Sequence, residues 1–182
     1  MMSVKTNKSV HKLTASAVSL ALCMVLPFVT GQVPEIGNML CPMHIPVMLC
    51  GFLCGWQYGL VVGFIAPLLR SFVFFAPPLF PQAFSMAFEL AVYGFMTGLM
   101  SKRLPDKPVF VYINLIISML SGRVVWGFVR MAIYGLGYTE FSVSMFVAGA
   151  FAEAVPGIIL QLILIPIIVI ALRRVNSKNF SR

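Results

Sequence analysis

The chain has 182 residues, of which 60% are hydrophobic and 10% are charged, and its formal net charge is +8 at pH 7. Soluble domains carry about 25% charged residues, so this composition excludes an ordinary soluble protein. The sequence therefore predicts an integral membrane protein whose long apolar runs are helices.

The basic residues account for the net charge without a nucleic-acid partner. They gather beside hydrophobic segments, as the positive-inside rule expects of loops that stay in the cytoplasm. Their placement indicates membrane topology rather than a phosphate-binding surface. The three groups are Lys5, Lys8 and Lys12; Lys102, Arg103 and Lys107; and Arg173, Arg174, Lys178 and Arg182.

The first apolar run, 13–29, is predicted to be a retained helix rather than a signal peptide. It exceeds the roughly 7 to 15 residues of a signal-peptide core. Val29-Thr30-Gly31 is also a poor cleavage site. This run therefore counts as a membrane span.

Turn signals divide the apolar runs into six candidate spans, each compared with the roughly 20 apolar residues that a membrane helix needs. The second run is short, and residues 55–59 (GWQYG) connect it tightly to the third. FAPPLFPQ at 75–82 separates the third from the fourth, because proline cannot continue the hydrogen-bond ladder of a helix. YGLGYTEFS at 134–142 separates the last two. The spans are about 13–29, 43–55, 57–75, 82–100, 108–134 and 145–172.

The loops at 30–42, 75–82 and 135–144 contain no Lys or Arg, so they are predicted to lie outside and both termini in the cytoplasm. The predicted fold is an all-α membrane protein, a bundle of six transmembrane helices. Its parts are a cytoplasmic N-terminal tail at 1–12, a six-helix transmembrane domain at 13–172 and a basic cytoplasmic tail at 173–182.

Small residues recur at every fourth position in several of these runs. Such spacing lets helix backbones approach closely in lipid, which predicts packing inside the bundle. For the pair in the first helix, a docking face for another protein is the alternative. The residues are Ala17 and Ala21; Gly51, Gly55, Gly59 and Gly63; and Gly94 and Gly98.

Five ionisable residues fall inside the predicted spans, and the topology places all of them in the outer half of the membrane. They are Arg70, Glu89, Arg123, Arg130 and Glu153. Intramembrane charges are costly and usually pair or mark a functional site. With three arginines and two glutamates, pairing leaves one positive charge over.

Two interpretations of these charges stay open. They either line a binding cavity or only pair with one another and fix the helix register, although buried ion pairs stabilise a bundle poorly. Excess arginine beside Trp and Tyr suits a small anion with a flat or apolar part. The candidate substrate-binding residues are Arg70, Glu89, Tyr93, Arg123, Trp126, Arg130 and Glu153.

Signals for catalysis and for metal binding are missing from the sequence. Cys41 and His44 have a C-x-x-H spacing, but one Cys and one His are too few for a structural zinc site. The four cysteines do not suggest a disulfide framework, and the chain has no P-loop with which to use ATP. We expect neither an enzyme nor a resident metal or cofactor.

The whole pattern resembles the substrate-binding S components of energy-coupling factor (ECF) transporters. The resemblance covers nearly the whole chain. It rests on six helices with both ends inside, on Ala17-Val-Ser-Leu-Ala21, and on HIPVMLCGFLCGWQYGLVVGFIAPLLRS at 44–71, which is similar to the family's hairpin of the second and third helices. Trp56 stands where that hairpin usually has proline.

This resemblance implies a set of partners and a location. The partners are a transmembrane coupling protein, contacted by Ala17 and Ala21, and two cytoplasmic ATPases that use the ATP. The location is a bacterial-type plasma membrane, with the solute bound in the outward half beneath the 30–42 loop. Transport then proceeds by toppling of the S component in the bilayer.

Solutes of the family are vitamins or their precursors, including riboflavin, thiamine, biotin, folate, pantothenate, pyridoxine-type compounds and queuosine precursors. The metal-transporting branch has a histidine directly after the initiating Met, where this chain has Met2-Ser3. The surplus arginine favours an anionic solute.

Two other functions remain as alternatives. A proton-coupled secondary carrier would use Glu89 or Glu153 as a proton relay and would transport without partners. A structural membrane subunit would use the charges only to pair helices and would bind no solute.

Overall fold

The computed structural model describes residues 8–29, 41–135 and 155–180, and within them the side chains of 9–28, 41–135 and 155–173. Every regular element in these ranges is helical. A short π-helical turn, Leu79–Ala83, leads into the fourth α-helix. The α-helices are α1 (Lys8–Val29), α2 (His44–Cys54), α3 (Trp56–Phe74), α4 (Phe84–Arg103), α5 (Pro108–Gly135) and α6 (Val155–Phe180).

Five of these helices are long and apolar enough to cross a membrane, with α4 counted together with the π-helical turn before it. The remaining helix, α2, has 11 residues, which rise about 16 Å against a hydrocarbon core of roughly 30 Å. The prediction of an all-helical membrane protein with a short second run is confirmed. The count of six spans and the cytoplasmic termini stay predictions.

The two terminal helices extend further than the sequence predicted. α1 begins at Lys8 instead of residue 13, and α6 runs to Phe180 instead of residue 172. The predicted spans followed hydropathy and mark apolar runs rather than helix ends, whereas Lys and Arg are good helix formers and continue a helix beyond the apolar core. Residues 145–154 of the predicted sixth span lie outside the described residues.

The proline-rich segment ends α3, as the sequence predicted. Phe75 adopts a left-handed conformation with φ of 55°, and its N–H donates to the Ser71 carbonyl at 3.0 Å, which caps the helix. Phe80, with φ of −125° and ψ of 134°, is extended inside the following turn. The break between α3 and α4 is confirmed, and the predicted break between α5 and α6 lies outside the described residues.

A single residue joins α2 to α3, which confirms the predicted tight connection. Gly55 has φ of 102° and ψ of 172°, a conformation that side chains with a Cβ rarely adopt. Its N–H still donates to the Gly51 carbonyl at 3.0 Å. The two helices therefore turn back on each other without a loop.

Glycines bring α2 and α3 into direct backbone contact with α4. A methyl group at Gly59 or Gly94 would overlap the backbone of the other, and one at Gly63 would overlap the Leu90 carbonyl. Gly98 lies equally close to the backbone of Trp56. The predicted role of these glycines in packing inside the bundle is confirmed.

The short helix α2 occupies the centre of the bundle and divides the core in two. Val47, Cys50 and Cys54 pack with α1, α3 and α4, whereas Ile45 and Met48 pack with α4, α5 and α6. Large apolar side chains cover the outside of the helices, as in a protein surrounded by lipid. The four cysteines are free thiols.

Candidate functional site

Glu89, Tyr93 and Arg123 form a buried group between α4 and α5, called here the acid–arginine cluster. Arg123 Nη1 lies 3.1 Å from Glu89 Oε1, and the Tyr93 hydroxyl donates to the same oxygen at 2.9 Å. Glu89 is 1% exposed and Tyr93 is fully buried. A carboxylate oxygen accepts about two hydrogen bonds, so these two donors saturate Oε1.

Local sequence explains how the cluster assembles. Tyr93 follows Glu89 by four residues on α4, so the two side chains lie on one face of that helix. Gly122 on α5 leaves room for the Tyr93 ring, because a methyl group there would overlap it. With the Tyr93 ring in contact with α5 at Gly122, the adjacent residue Arg123 reaches the Glu89 carboxylate.

His44 lies beside the acid–arginine cluster, and the sequence pattern had singled it out only as a weak metal ligand. It is the first residue of α2 and is 2% exposed. Its Nε2 lies 3.7 Å from Glu89 Oε1, and the centres of the His44 and Tyr93 rings are 5.2 Å apart. Neither ring nitrogen has a hydrogen-bond partner within the described part of the chain. A histidine in the first turn of a short apolar helix, next to a polar loop, is the signal that would have found it.

Cys41 lies just before α2, with its sulfur 3.9 Å from Arg123 Nη2. Burial raises the pKa of this thiol to about 11, so it contributes no charge to the cluster at neutral pH. No group of three His, Cys, Asp or Glu side chains in the described ranges is arranged to hold a metal ion.

Arg70 lies apart from the acid–arginine cluster, between the ends of α1 and α3. Its Nη1 donates to the Met24 carbonyl at 2.7 Å, and its guanidinium lies 5.3 Å from the ring centres of both Phe28 and Phe74. It is 3% exposed. Because the Met24 carbonyl and the Phe28 ring belong to α1 while Arg70 belongs to α3, this arginine is placed to hold α1 against α3.

Arg130 lies two turns beyond Arg123 on α5, with its guanidinium 5.4 Å from the ring centre of Trp126. Its Nε is buried and has no hydrogen-bond partner within the described residues. Neither described acid, Glu89 or Asp106, forms an ion pair with it. Arg130 therefore stacks on an aromatic ring without a paired carboxylate in this part of the chain, whereas Arg70 donates a hydrogen bond to a backbone carbonyl.

Buried polar groups also continue from the cluster toward the far end of α4. Thr97 donates to the Tyr93 carbonyl at 2.7 Å, and the Asn114 amide donates to the Thr97 carbonyl at 3.0 Å. At the end of the bundle, Arg173 of α6 pairs with Asp106 and donates to Ser101. These bonds hold α4, α5 and α6 together beneath the cluster.

The remaining predicted residues fall elsewhere. Ala17 and Ala21 are exposed on the outside of α1, whereas Ser16, Ser19 and Cys23 of the same helix are buried. Glu153 lies outside the described residues, as does the 30–40 part of the predicted gate loop. The structure thus brings Glu89, Tyr93 and Arg123 together, places Trp126 with Arg130, and separates Arg70 from both groups.

Five apolar helices long enough to span a membrane define a multi-pass membrane protein. The charged side chains buried among them form a candidate solute-binding site. The family model of the ECF transporter substrate-specific component matches residues 11–169. The chain therefore belongs to the ECF substrate-specific components, which are transporter subunits and not enzymes. No curated protein and no solved structure gives a significant match.

Proposed function

We propose that this chain binds a small anionic vitamin, or a vitamin precursor, in the outer half of a bacterial-type plasma membrane and delivers it with an ECF coupling protein and two ATPases. Both termini of its six-span bundle then lie in the cytoplasm. The observation that carries the anionic character is Arg130, which stacks on Trp126 while Glu89 neutralises its neighbour Arg123. A guanidinium over an aromatic ring recognises carboxylates with fixed geometry.

The charge balance supports an anion over a cation. Within the described residues, Glu89 and Arg123 form an ion pair with no net charge, and Arg70 donates a hydrogen bond to the Met24 carbonyl. Arg130 adds a positive charge to the same face of α5 as Arg123, because seven residues make two helical turns. An anionic group beside Arg130 relieves the cost of that charge in the membrane.

The role of Arg130 is tested by Arg130→Gln, with Arg70→Gln as the matched control in a second buried arginine. Binding of pantothenate, biotin, folate, riboflavin and thiamine to the detergent-purified chain is measured by calorimetry. We expect Arg130→Gln to weaken binding of a carboxylate vitamin by about 10- to 100-fold, because a charge-assisted hydrogen bond is lost. Arg70→Gln should lower the melting temperature and leave the Kd within about threefold. Equal affinity losses in both variants would contradict the proposal.

Dependence on partners is tested through Ala17 and Ala21, whose exposure on α1 suits a docking face for the coupling protein. We expect the double change Ala17→Leu, Ala21→Leu to cut ATP-driven uptake by about tenfold or more, because larger side chains keep helix backbones apart. Its solute Kd should equal that of the wild type. Leu22→Phe, at an exposed position about 140° from Ala17 and 100° from Ala21 around the same helix, is the control that should transport normally. Uptake by the purified chain alone, driven by a pH gradient, would instead support the carrier alternative.

A further inference from the structure

His44 is a buried polar group whose hydrogen bonds the described chain does not supply. The residue is 2% exposed, and neither ring nitrogen has a hydrogen-bond partner among the described residues. Polar atoms buried without a partner are costly and uncommon in native proteins. The position of the ring is nevertheless fixed, because the backbone N–H of His44 donates to the Cys41 carbonyl at 3.0 Å and the imidazole ring packs on the Tyr93 ring.

The nearest acceptor, Glu89, does not satisfy the imidazole. Its Oε1 is 3.7 Å from His44 Nε2, beyond hydrogen-bond distance, and already accepts from Tyr93 and pairs with Arg123. His44 is thus held beside the acid–arginine cluster without belonging to its bonding. This arrangement leaves the imidazole available to a bound molecule.

We infer that His44 binds an uncharged hydrogen-bonding head of the solute, such as an amide, ureide or hydroxyl group, while Arg130 binds a carboxylate at the other end. This inference rests on the proposed function and names the substrate class of that site. The solute is then elongated, with one neutral polar end and one anionic end.

The neighbouring charges select a neutral head at His44. The Glu89 carboxylate, 3.7 Å from Nε2, repels an anion, and the Arg123 guanidinium, 3.1 Å from that carboxylate, repels a cation. An uncharged imidazole offers a donor on one nitrogen and an acceptor on the other. Amide, ureide and hydroxyl groups carry both complements and cost less to bury than an ion.

The helix geometry sets the length of the solute. Arg123, at the level of the cluster, and Arg130 are seven residues apart on α5, a rise of about 10 Å. Both arginine side chains lean toward the N-terminus of α5, so the lean keeps this separation between the two guanidinium groups. A solute whose polar head and carboxylate lie within about 10 Å of each other fits this span.

The test compares three variants, His44→Phe, His44→Gln and Arg130→Gln, on two pairs of ligands. The probes are pantothenate and biotin, which have a neutral polar head and a carboxylate, and their uncharged counterparts pantothenol and biotinamide; thiamine is the cationic control. We expect wild type to bind pantothenate or biotin. His44→Phe should weaken the acid and its uncharged counterpart equally, on the order of 10- to 100-fold, while His44→Gln retains part of the affinity. Arg130→Gln should weaken only the acid.

The same variants test whether His44 is unbonded in the empty protein. We expect solute-free His44→Phe to melt at or above the wild-type temperature, because the ring is kept and two unsatisfied nitrogens are removed. A melting temperature lower by several degrees would show that the nitrogens have structural partners, and would overturn the inference.

Other outcomes overturn it as well. These are an unchanged Kd in His44→Phe, a loss confined to the acids, tight binding of thiamine, or binding of neither acid by the wild type. If His44→Phe binds and transports like wild type, the proposed function stands and only this inference falls. If the wild-type chain neither binds any vitamin of the panel nor supports uptake of one with its partners, the proposed function falls too.

Discussion

Replacing Glu89 with leucine is expected to destabilise the chain by about 3 to 5 kcal/mol, one of the largest effects of any single change. Removing one partner of a buried ion pair leaves the other charge buried and uncompensated. Here the Arg123 guanidinium, 11% exposed at its side chain, would lose its carboxylate, and the Tyr93 hydroxyl would lose its acceptor. Unfolding by denaturant in detergent, followed by tryptophan fluorescence, measures the change.

A double-mutant cycle separates the pair from its surroundings. Arg123→Met alone should cost a similar amount, because it leaves the Glu89 carboxylate buried with only neutral donors. Glu89→Leu combined with Arg123→Met should be less destabilising than either single variant, since apolar residues of similar volume often replace a buried pair at little cost. Strictly additive losses would show that the two residues do not interact.

The same double variant decides between the two interpretations that the sequence left open. If it folds and binds the solute with the wild-type Kd, the pair fixes the helix register. If it folds and loses the solute, Glu89 and Arg123 contact the solute directly. A folded double variant is therefore informative about function in either case.

The sequence predicted the helices well because apolar runs, prolines and glycines act locally. FAPPLFPQ ended α3 where expected, and Gly55 formed the joint between α2 and α3. The helix ends at Lys8 and Phe180 lie beyond the predicted spans because hydropathy reports burial in lipid rather than backbone conformation. A basic residue leaves the hydrocarbon without leaving the helix.

Side-chain partners were much less predictable, because the rotation of each helix about its own axis is set by packing. Arg70 and Arg123 looked equivalent as intramembrane arginines, yet one binds the Met24 carbonyl and the other pairs with Glu89. His44 was overlooked because a single histidine has no spacing pattern. Its importance depends on Tyr93, 49 residues later in the chain, which packs against it.

Glycine positions gave a clearer signal than the charges, because close helix contact in lipid strongly favours small residues. Gly94 shows why: the space that its side chain would fill is occupied by the backbone of Gly59. The contact lies next to Tyr93 in the sequence. Helix packing between α3 and α4 and the position of the acid–arginine cluster are therefore linked through α4.

Gly94→Ala is accordingly expected to destabilise the chain by about 3 kcal/mol or more, at the upper end of overpacking effects, because backbone cannot move aside as a side chain does. Alanine is intrinsically the better helix former by about 1 kcal/mol, so the loss is purely steric. Gly135→Ala is the matched control, since among the described residues no atom beyond the chain neighbours and the backbone of its own helix lies within 4 Å of the added methyl group. It should be neutral or slightly stabilising.

Melting temperature and solute affinity, measured together, test this link. We expect Gly94→Ala to melt several degrees below Gly135→Ala and to bind solute more weakly, because moving α4 from α3 displaces Glu89 and Tyr93 relative to α5 and α2. Melting temperatures equal within about 1 °C would contradict the close approach of α3 and α4. Lower stability with unchanged affinity would support the close contact of α3 and α4 but show that solute binding tolerates movement of α4.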